Sequence, residues 1–480
     1  LVTHQSSLGG TTSVTYVPGT EWTNTQAAPP GIMATIDASG NHSAAPSTHR
    51  LSPGGPTVSS IQVSDGRVWS ATTTYAYSGG LYDEDERKWL GYQYSTETRP
   101  KIGEETAGPS TLSEFVQKIG PSIGAAGALK YQLQYDGLGK ELDAVFNEVV
   151  VGGDGEASPY TAKVSWRMHY LLDGSGTDCT LWPCAYGERR WQEFTYDNHG
   201  NRTLVKDHGN LDAAGDETTT QFVFYPNSSA YLVNKLARTT AYFGIGTTGM
   251  VLTDAQLHYD GAATYALPPT IGLLTNRSNW LNDGNRWIAQ CPDAACIEYD
   301  AFGNVTKVKE SKWINGSPTP VSAETVLQYE TGYDKFPISV TNALGQVTQT
   351  PDWDELCEAP ARTVNPNLQE TTVTYDELCR HDRTEGPLGS FLQSFYVGLG
   401  NPNSQYSETQ TPSAEGTGVY WAKTFFDGLG RTYQTESRSG EPGKNVLSGE
   451  VTFNARGLAA TAAQPRFTGD PQYLTTFTYD

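Results

Sequence analysis

The sequence predicts an all-β protein built from a repeated β-hairpin, and three observations lead there. A short phrase, aromatic-Asp-x-x-Gly-polar, recurs along the chain. Large apolar residues just ahead of it stand two apart, the period of a strand with one buried face. Gly (50) and Tyr (27) are abundant while Met is down to 3, a composition that favours strands and turns over helices.

The phrase reads YDGLGK from Tyr135, YDNHGN from Tyr196, YDAFGN from Tyr299 and FDGLGR from Phe426. Weaker copies are YDGAAT from Tyr259, YDKFPI from Tyr333, WDELCE from Trp353, YDELCR from Tyr375 and FNARGL from Phe453. Tyr479-Asp480 would open one more, which points to an array that continues past this sequence. Spacings of 20 residues (Tyr333 to Trp353) and 22 (Trp353 to Tyr375) fit one supersecondary unit per repeat. The wide gap after Tyr135 would hold an insertion or eroded copies.

Each element of the unit has a physical reason. Phe194-Thr195-Tyr196 and Ile297-Glu298-Tyr299 alternate as strands do. The Asp then opens a turn, its carboxylate placed to accept the backbone N–H two residues on. Glycine three residues after the Asp can take φ > 0 and close the turn with a bulge. A return strand follows, as in Val305–Val308. The residues expected to carry this structure are Tyr135, Asp136 and Gly139; Tyr196, Asp197 and Gly200; Tyr299, Asp300 and Gly303; Tyr375 and Asp376; Phe426, Asp427 and Gly430. A row of general acids is a poor account of the Asp residues, because a catalytic group is needed once and a turn former in every copy.

Three regions are expected: 1–105, strand-rich with Gly punctuation but without the phrase; 106–130, a connector with one short helix; and 131–480, the array. The helix is expected from Leu112 to Ile119, where Leu112, Phe115, Val116 and Ile119 recur at helical spacing.

Bulk numbers bound the function. A chain of 480 residues implies several domains or one repetitive architecture. Its net charge of −21 argues against nucleic acid and anionic membranes as partners. No apolar run has the length of a membrane span. The opening LVTHQSS carries no signal segment, so the sequence reads as the interior of a longer polypeptide.

The six cysteines form three couples: Cys179 and Cys184, Cys291 and Cys296, Cys357 and Cys379. Their spacing disfavours zinc. Local disulfides in the first two couples and six free thiols are equal readings. Cys357 and Cys379 occupy equivalent turn positions. Side-by-side hairpins would hold them two strands, roughly 9–10 Å, apart, so no bond between them is expected.

Two enzyme patterns are decoys. Gly120-Pro121-Ser122-Ile123-Gly124 matches a nucleophile elbow but lacks the strand before and helix after the serine. Gly244-Ile245-Gly246-Thr247-Thr248-Gly249 matches a dinucleotide loop but runs into a repeat phrase, so a glycine-rich hairpin turn is the better account. Asp83–Glu86 reads as a solvated acidic loop rather than a calcium site. No cofactor, metal or catalytic residue is expected.

The phrases YDGLGK, YDNHGN, YDAFGN and FDGLGR resemble the YD repeats of Rhs proteins, toxin-complex B and C subunits and teneurins. The opening region, with GGTTSVTY, YSGGLYD and RKWLGY, is similar to the segment ahead of the repeats in bacterial B-type components. The resemblance implies a curved spiral sheet forming part of a hollow shell around a C-terminal toxin polypeptide. It also implies neighbouring shell or translocation subunits as partners and a secreted or surface location. The family's autoproteolytic segment is not found here, so a structural, non-enzymatic role follows, and the chain is expected not to close a shell alone. The rival reading is an extracellular adhesin or carbohydrate-binding repeat protein, with exposed aromatics stacking on sugars. An open, water-facing row of Tyr135, Tyr196, Tyr299 and Tyr375 would favour the rival.

Overall fold

The computed structural model describes residues 1–22, 35–36, 42–43, 55–83, 87–119, 123–152, 161–172, 188–281, 287–312, 321–413 and 418–479. Among them there is no α-helix, only two three-residue 3-10 turns at Gly19–Glu21 and Pro387–Gly389. Everything else regular is antiparallel strand, and nearly every strand pairs with its neighbours in sequence. One sheet has 16 strands, from Val2–Gln5 to Trp287–Ala289, and a second has 14, beginning at Ile297–Tyr299.

The two sheets are one meander with a flaw. Gln290 and Cys296 donate their N–H groups to Arg277 O and Thr275 O on one side. Lys309 and Ser311 donate to Cys296 O and Gln290 O on the other. Trp287–Ala289 and Ile297–Tyr299 are therefore two halves of a single row. The short loop between them is closed by a Cys291–Cys296 disulfide, Cα–Cα 5.6 Å. The local-bond reading thus holds for that couple, while Cys179 and Cys184 lie outside the described residues.

Two expectations fail. Ser110–Phe115, inside the supposed helix, is a strand paired with Lys88–Thr98 and Leu129–Tyr135. The helical spacing there is a coincidence of two packings. Leu112 joins a core with Tyr94, Tyr131, Leu133, Ala144, Tyr170 and Leu172, whereas Val116 packs with Ala125 and Val149. Neighbouring strands on both sides bury Glu114, which Lys130 pairs at 2.9 Å.

Cys357 and Cys379 are bonded, with Cα atoms 5.2 Å apart. Equivalent turns in regular register would hold the two cysteines out of bonding reach. Instead the register between Val347–Asp354 and Ala359–Val364 shifts twice. The positive φ falls on Glu358 in one turn and on Cys379 itself in the other. The two tips approach more closely than strand spacing would allow.

Alternation of direction gives the meander two edges. The tips at 6–10, 65–69 and 136–140 lie on the first edge; those at 197–201, 300–304, 355–358, 376–380, 398–405 and 427–431 lie on the second. Tyr135 and Tyr196 fall on opposite edges because an odd number of strand steps separates their turns.

Candidate functional site: repeat turns and the seam between edges

The signature turns share one geometry. In the first, the Asp136 N–H donates to Lys140 O at 2.8 Å and Gly139 donates to Asp136 O at 3.2 Å. The carboxylate of Asp136 accepts from Leu138 N at 2.9 Å and Lys140 N at 2.7 Å. Asp197, Asp300, Asp376 and Asp427 accept in the same way from the residues two and four positions on. Gly139, Gly200, Gly303 and Gly430 take φ of 82°, 88°, 90° and 79°, and Cys379 takes 59°.

Hydrogen bonding lowers several of these carboxyls. At Asp376 the Arg380 side chain is the main cause. At Asp197 and Asp300 burial pushes upward, but bonds from Asn201 and Asn304 and from the turn amides outweigh it. The weaker copy at Asp260 departs from the pattern, with φ 55° and a carboxylate that folds a long loop onto itself. Burial would raise its pKa, yet the amides of Ile271, Gly272, Leu273 and Thr270 hold it at about 2.

Tyrosines of several signature copies, joined by Tyr329 and Tyr396 outside them, have a role that alternation alone did not reveal. Between hairpins the ladder stops short of the second edge, and a tyrosine hydroxyl bridges the gap to a backbone carbonyl. Tyr196 donates to Val164 O (3.0 Å), Tyr259 to Leu236 O (2.9 Å), Tyr329 to Val305 O (3.1 Å), Tyr375 to Pro360 O (3.1 Å), Tyr396 to His381 O (3.2 Å) and Tyr479 to Ala459 O (2.8 Å). In all of these the acceptor stands two residues before, and the tyrosine three residues after, the last ladder pair. Tyr299 bonds Leu274 O at 2.7 Å, and Trp353 uses its indole N–H on Pro337 O at 3.3 Å. Where the ladder runs on to Tyr406↔Phe425, the aromatic is Phe426, which has no hydroxyl to give. A carbonyl left without a ladder partner is thereby satisfied.

The two edges meet. Gly10 N donates to Gly428 O at 3.1 Å, and Gly428 N donates to Asp65 O at 2.8 Å. A Cβ on Gly428 would lie 2.3 Å from Gly10 N and 2.5 Å from Asp65 O, so only glycine fits this backbone contact. Gln405 is fully buried, and its amide donates to Leu8 O and to Asp427 O, both at 2.9 Å. Asp427, also buried, accepts from Arg431 Nε at 2.7 Å, while Arg431 Nη2 reaches Asp65 at 3.3 Å. The Arg431 guanidinium lies between the rings of Trp69 (4.2 Å) and Phe453 (4.0 Å). Further along, Trp69 donates to Asn454 O, and Arg456 pairs with Glu105 at 2.6 Å. First-edge tips thus carry second-edge tips lying roughly two dozen strands later. The strand edges themselves remain open, and no closed barrel forms.

Of the expected signature residues, the structure brings only Asp427 and its turn into this seam. The other signature turns bond neighbouring loops instead: Gly137 O accepts from Thr106 N and Ala107 N, while Asn201 and Asn304 donate to Val233 O and Asp334 O. Gln405, Asp65, Arg431, Gly10 and Gly428 were not foreseen as a group. The signals for part of it were present, in Gly9-Gly10 and in Asp65-Gly66-Arg67, a short cousin of the repeat turn. Asn342 and Asn365 build the same turn, accepting from residues two and four on. The Gly244–Gly249 loop is a hairpin turn, as expected. Part of the serine decoy (120–122) and of the acidic loop (84–86) lies outside the described residues. Among the described residues no cluster of His, Cys, Asp and Glu could hold a metal ion.

Comparison with known proteins adds to this geometry. Residues 1–120 match the family described as insecticide toxin TcdB middle/N-terminal region. The crystal structure of TcdB2–TccC3 superposes with a TM-score of 0.69 at 13% identity, covering 97% of this chain and 31% of that one. The TcdB2–TccC3–Cdc42 complex gives 0.69 at 12%, covering 97% and 33%. The Photorhabdus luminescens Tc holotoxin pore gives 0.68 at 11%, again covering 97% and 33%. The chain spans about a third of the length of these solved chains. No curated protein matches it in sequence.

Proposed function

We propose, from the repeated signature turns and the fold shared with toxin-complex structures, that the chain is a structural, non-enzymatic wall component that helps enclose a toxin polypeptide and pass it on for delivery. The seam carries this reading. A meander whose second edge seats on its own first edge builds a continuous spiral wall, and a wall of that kind can separate an inside from an outside. Partners on this reading are the enclosed polypeptide and neighbouring shell or translocation subunits. A secreted or cell-surface location accords with the Cys291–Cys296 and Cys357–Cys379 disulfides. No helix among the described residues is long and apolar enough to cross a membrane.

The adhesin reading loses ground on the tyrosines. Tyr135, Tyr196, Tyr299 and Tyr375 are half-buried, and the hydroxyls of the last three are spent on neighbouring carbonyls. They form no open platform for a sugar face.

The test is protease protection in the full-length polypeptide encoded by the reading frame that contains this chain. The enclosed segment should survive trypsin in the wild type. It should be cut at least tenfold faster after Gly428→Val, which drives a side chain into the seam. Equal cleavage in both proteins would overturn the proposal.

A further inference from the structure

The Cys357–Cys379 disulfide sits at a joint with a short ladder. Ala359–Val364 and Glu370–Tyr375 pair only through Arg362↔Thr372, Thr363↔Thr371 and Val364↔Glu370. Toward the second edge the two strands part, and what spans the opening is the Tyr375–Pro360 hydrogen bond together with this disulfide. The neighbouring openings at Trp353/Pro337 and Tyr396/His381 have the aromatic bridge and no covalent link; a Lys335–Glu358 ion pair (2.6 Å) and a His381–Ser394 hydrogen bond (2.7 Å) reinforce them. The covalent link is thus an addition to a joint that its neighbours complete without one. Cys379 is exposed and Cys357 half-buried, while Cys291 and Cys296 are 1% and 0% exposed.

We propose that Cys357–Cys379 is a redox-responsive staple, opened by dithiol reductants while the wall around it stays folded. The chemistry balances as thiol–disulfide exchange. A thiolate of the dithiol attacks the more accessible Cys379 sulfur, and Cys357 leaves as a thiolate. The second thiol of the reductant then displaces Cys379 from the mixed disulfide. Two electrons pass to the protein, two protons complete its thiols, and the reductant ends as a disulfide. The joint then lacks a covalent link, as its neighbours do, and keeps the Tyr375–Pro360 hydrogen bond across the opening. In an oxidising medium the wall is covalently tied at this joint; in a thiol-rich compartment the tips at 355–358 and 376–380 are released. This inference does not depend on the wall enclosing anything.

The experiment uses the intact oxidised chain, graded concentrations of dithiothreitol, rapid alkylation and peptide mass mapping. Cys357 and Cys379 should be alkylated at a dithiothreitol concentration at least tenfold below that needed for Cys291 and Cys296. Amide exchange should then rise severalfold in 353–360 and 374–381 and stay unchanged in 297–312 and 419–438. The Cys357→Ser/Cys379→Ser double variant should reproduce that exchange pattern without reductant. Simultaneous labelling of the two pairs, or earlier labelling of Cys291 and Cys296, would overturn the proposal. So would a double variant whose exchange matches the oxidised wild type, or reduction that melts the whole array.

Discussion

Residues 90–172 and residues 297–412 are built from the same antiparallel meander, yet they are held together differently. The first stretch has a true core: Tyr131, Leu133, Ala144, Tyr170 and Leu172 are almost wholly buried and packed on one another. In the second, Phe336 and Pro402 are the only buried apolar side chains among the described residues. What stands in for a core there is a set of polar devices at the edges: an Asp, Asn or Glu side chain folded into most turns and an aromatic donor across many of the openings. A single-layer sheet cannot rely on burial, because each face has no partner layer. It must place its stabilisation in hydrogen bonds that are individually worth about 1 kcal/mol and therefore in repetition.

That contrast can be broken or sharpened by substitution. The largest effect belongs to the core. Leu133→Ala should cost about 3 kcal/mol in denaturant unfolding, since the methyl groups it removes leave a cavity. A cost no larger than that of a tip substitution would dissolve the distinction. Gly303→Val, at an open tip with φ 90° and no neighbour near its Cβ position, should cost about 1–2 kcal/mol from backbone strain alone. An unchanged unfolding midpoint would show that the turn does not need the left-handed conformation. Tyr299→Phe removes only the hydroxyl that reaches Leu274 O, and about 1 kcal/mol should go with it. Hydrogen exchange should report that loss locally, near 274 and 299.

The smallest effect per site comes from acid. The carboxyls of Asp197, Asp300 and Asp376 are lowered in the folded state, so their contribution is fully present above the unfolded carboxylate pKa near 4 and fades as pH falls through the folded values. Acid below about pH 4 should therefore lower the amide protection factors at these array tips while leaving the Leu133 core protected. A core that loosens first on acidification would contradict the division of labour.

Much of this was legible in the sequence. The strand–turn–strand unit, the Asp turn and the positive φ at Gly139, Gly200, Gly303 and Gly430 are local properties, fixed by residues within five positions of one another. What was not legible depended on partners distant in sequence. Leu112–Ile119 looked helical because its apolar spacing serves two separate clusters, and only the flanking strands determine that. Cys357 and Cys379 were expected apart because the shifted register that brings their tips together leaves no mark in the spacing of the phrases. Gln405 carries no local signal, since its amide matters only once Leu8 and Asp427 have been brought to it from opposite ends of the chain.

The seam also sets dimensions. If one edge rests on the other after a single revolution, the spiral climbs by one strand length per turn. Strands of about eight residues give a pitch of roughly 26 Å at ~3.3 Å per residue. Roughly two dozen strands at ~4.8 Å spacing give a perimeter of about 115 Å, hence a bore of about 37 Å between backbones on opposite sides. Barrels of about eight strands fill themselves with their own side chains; a bore this wide cannot. Its lining must face water or a guest molecule. A lumen that stays wet needs a lining that tolerates water, which accounts for a chain only 37% hydrophobic forming so many strands.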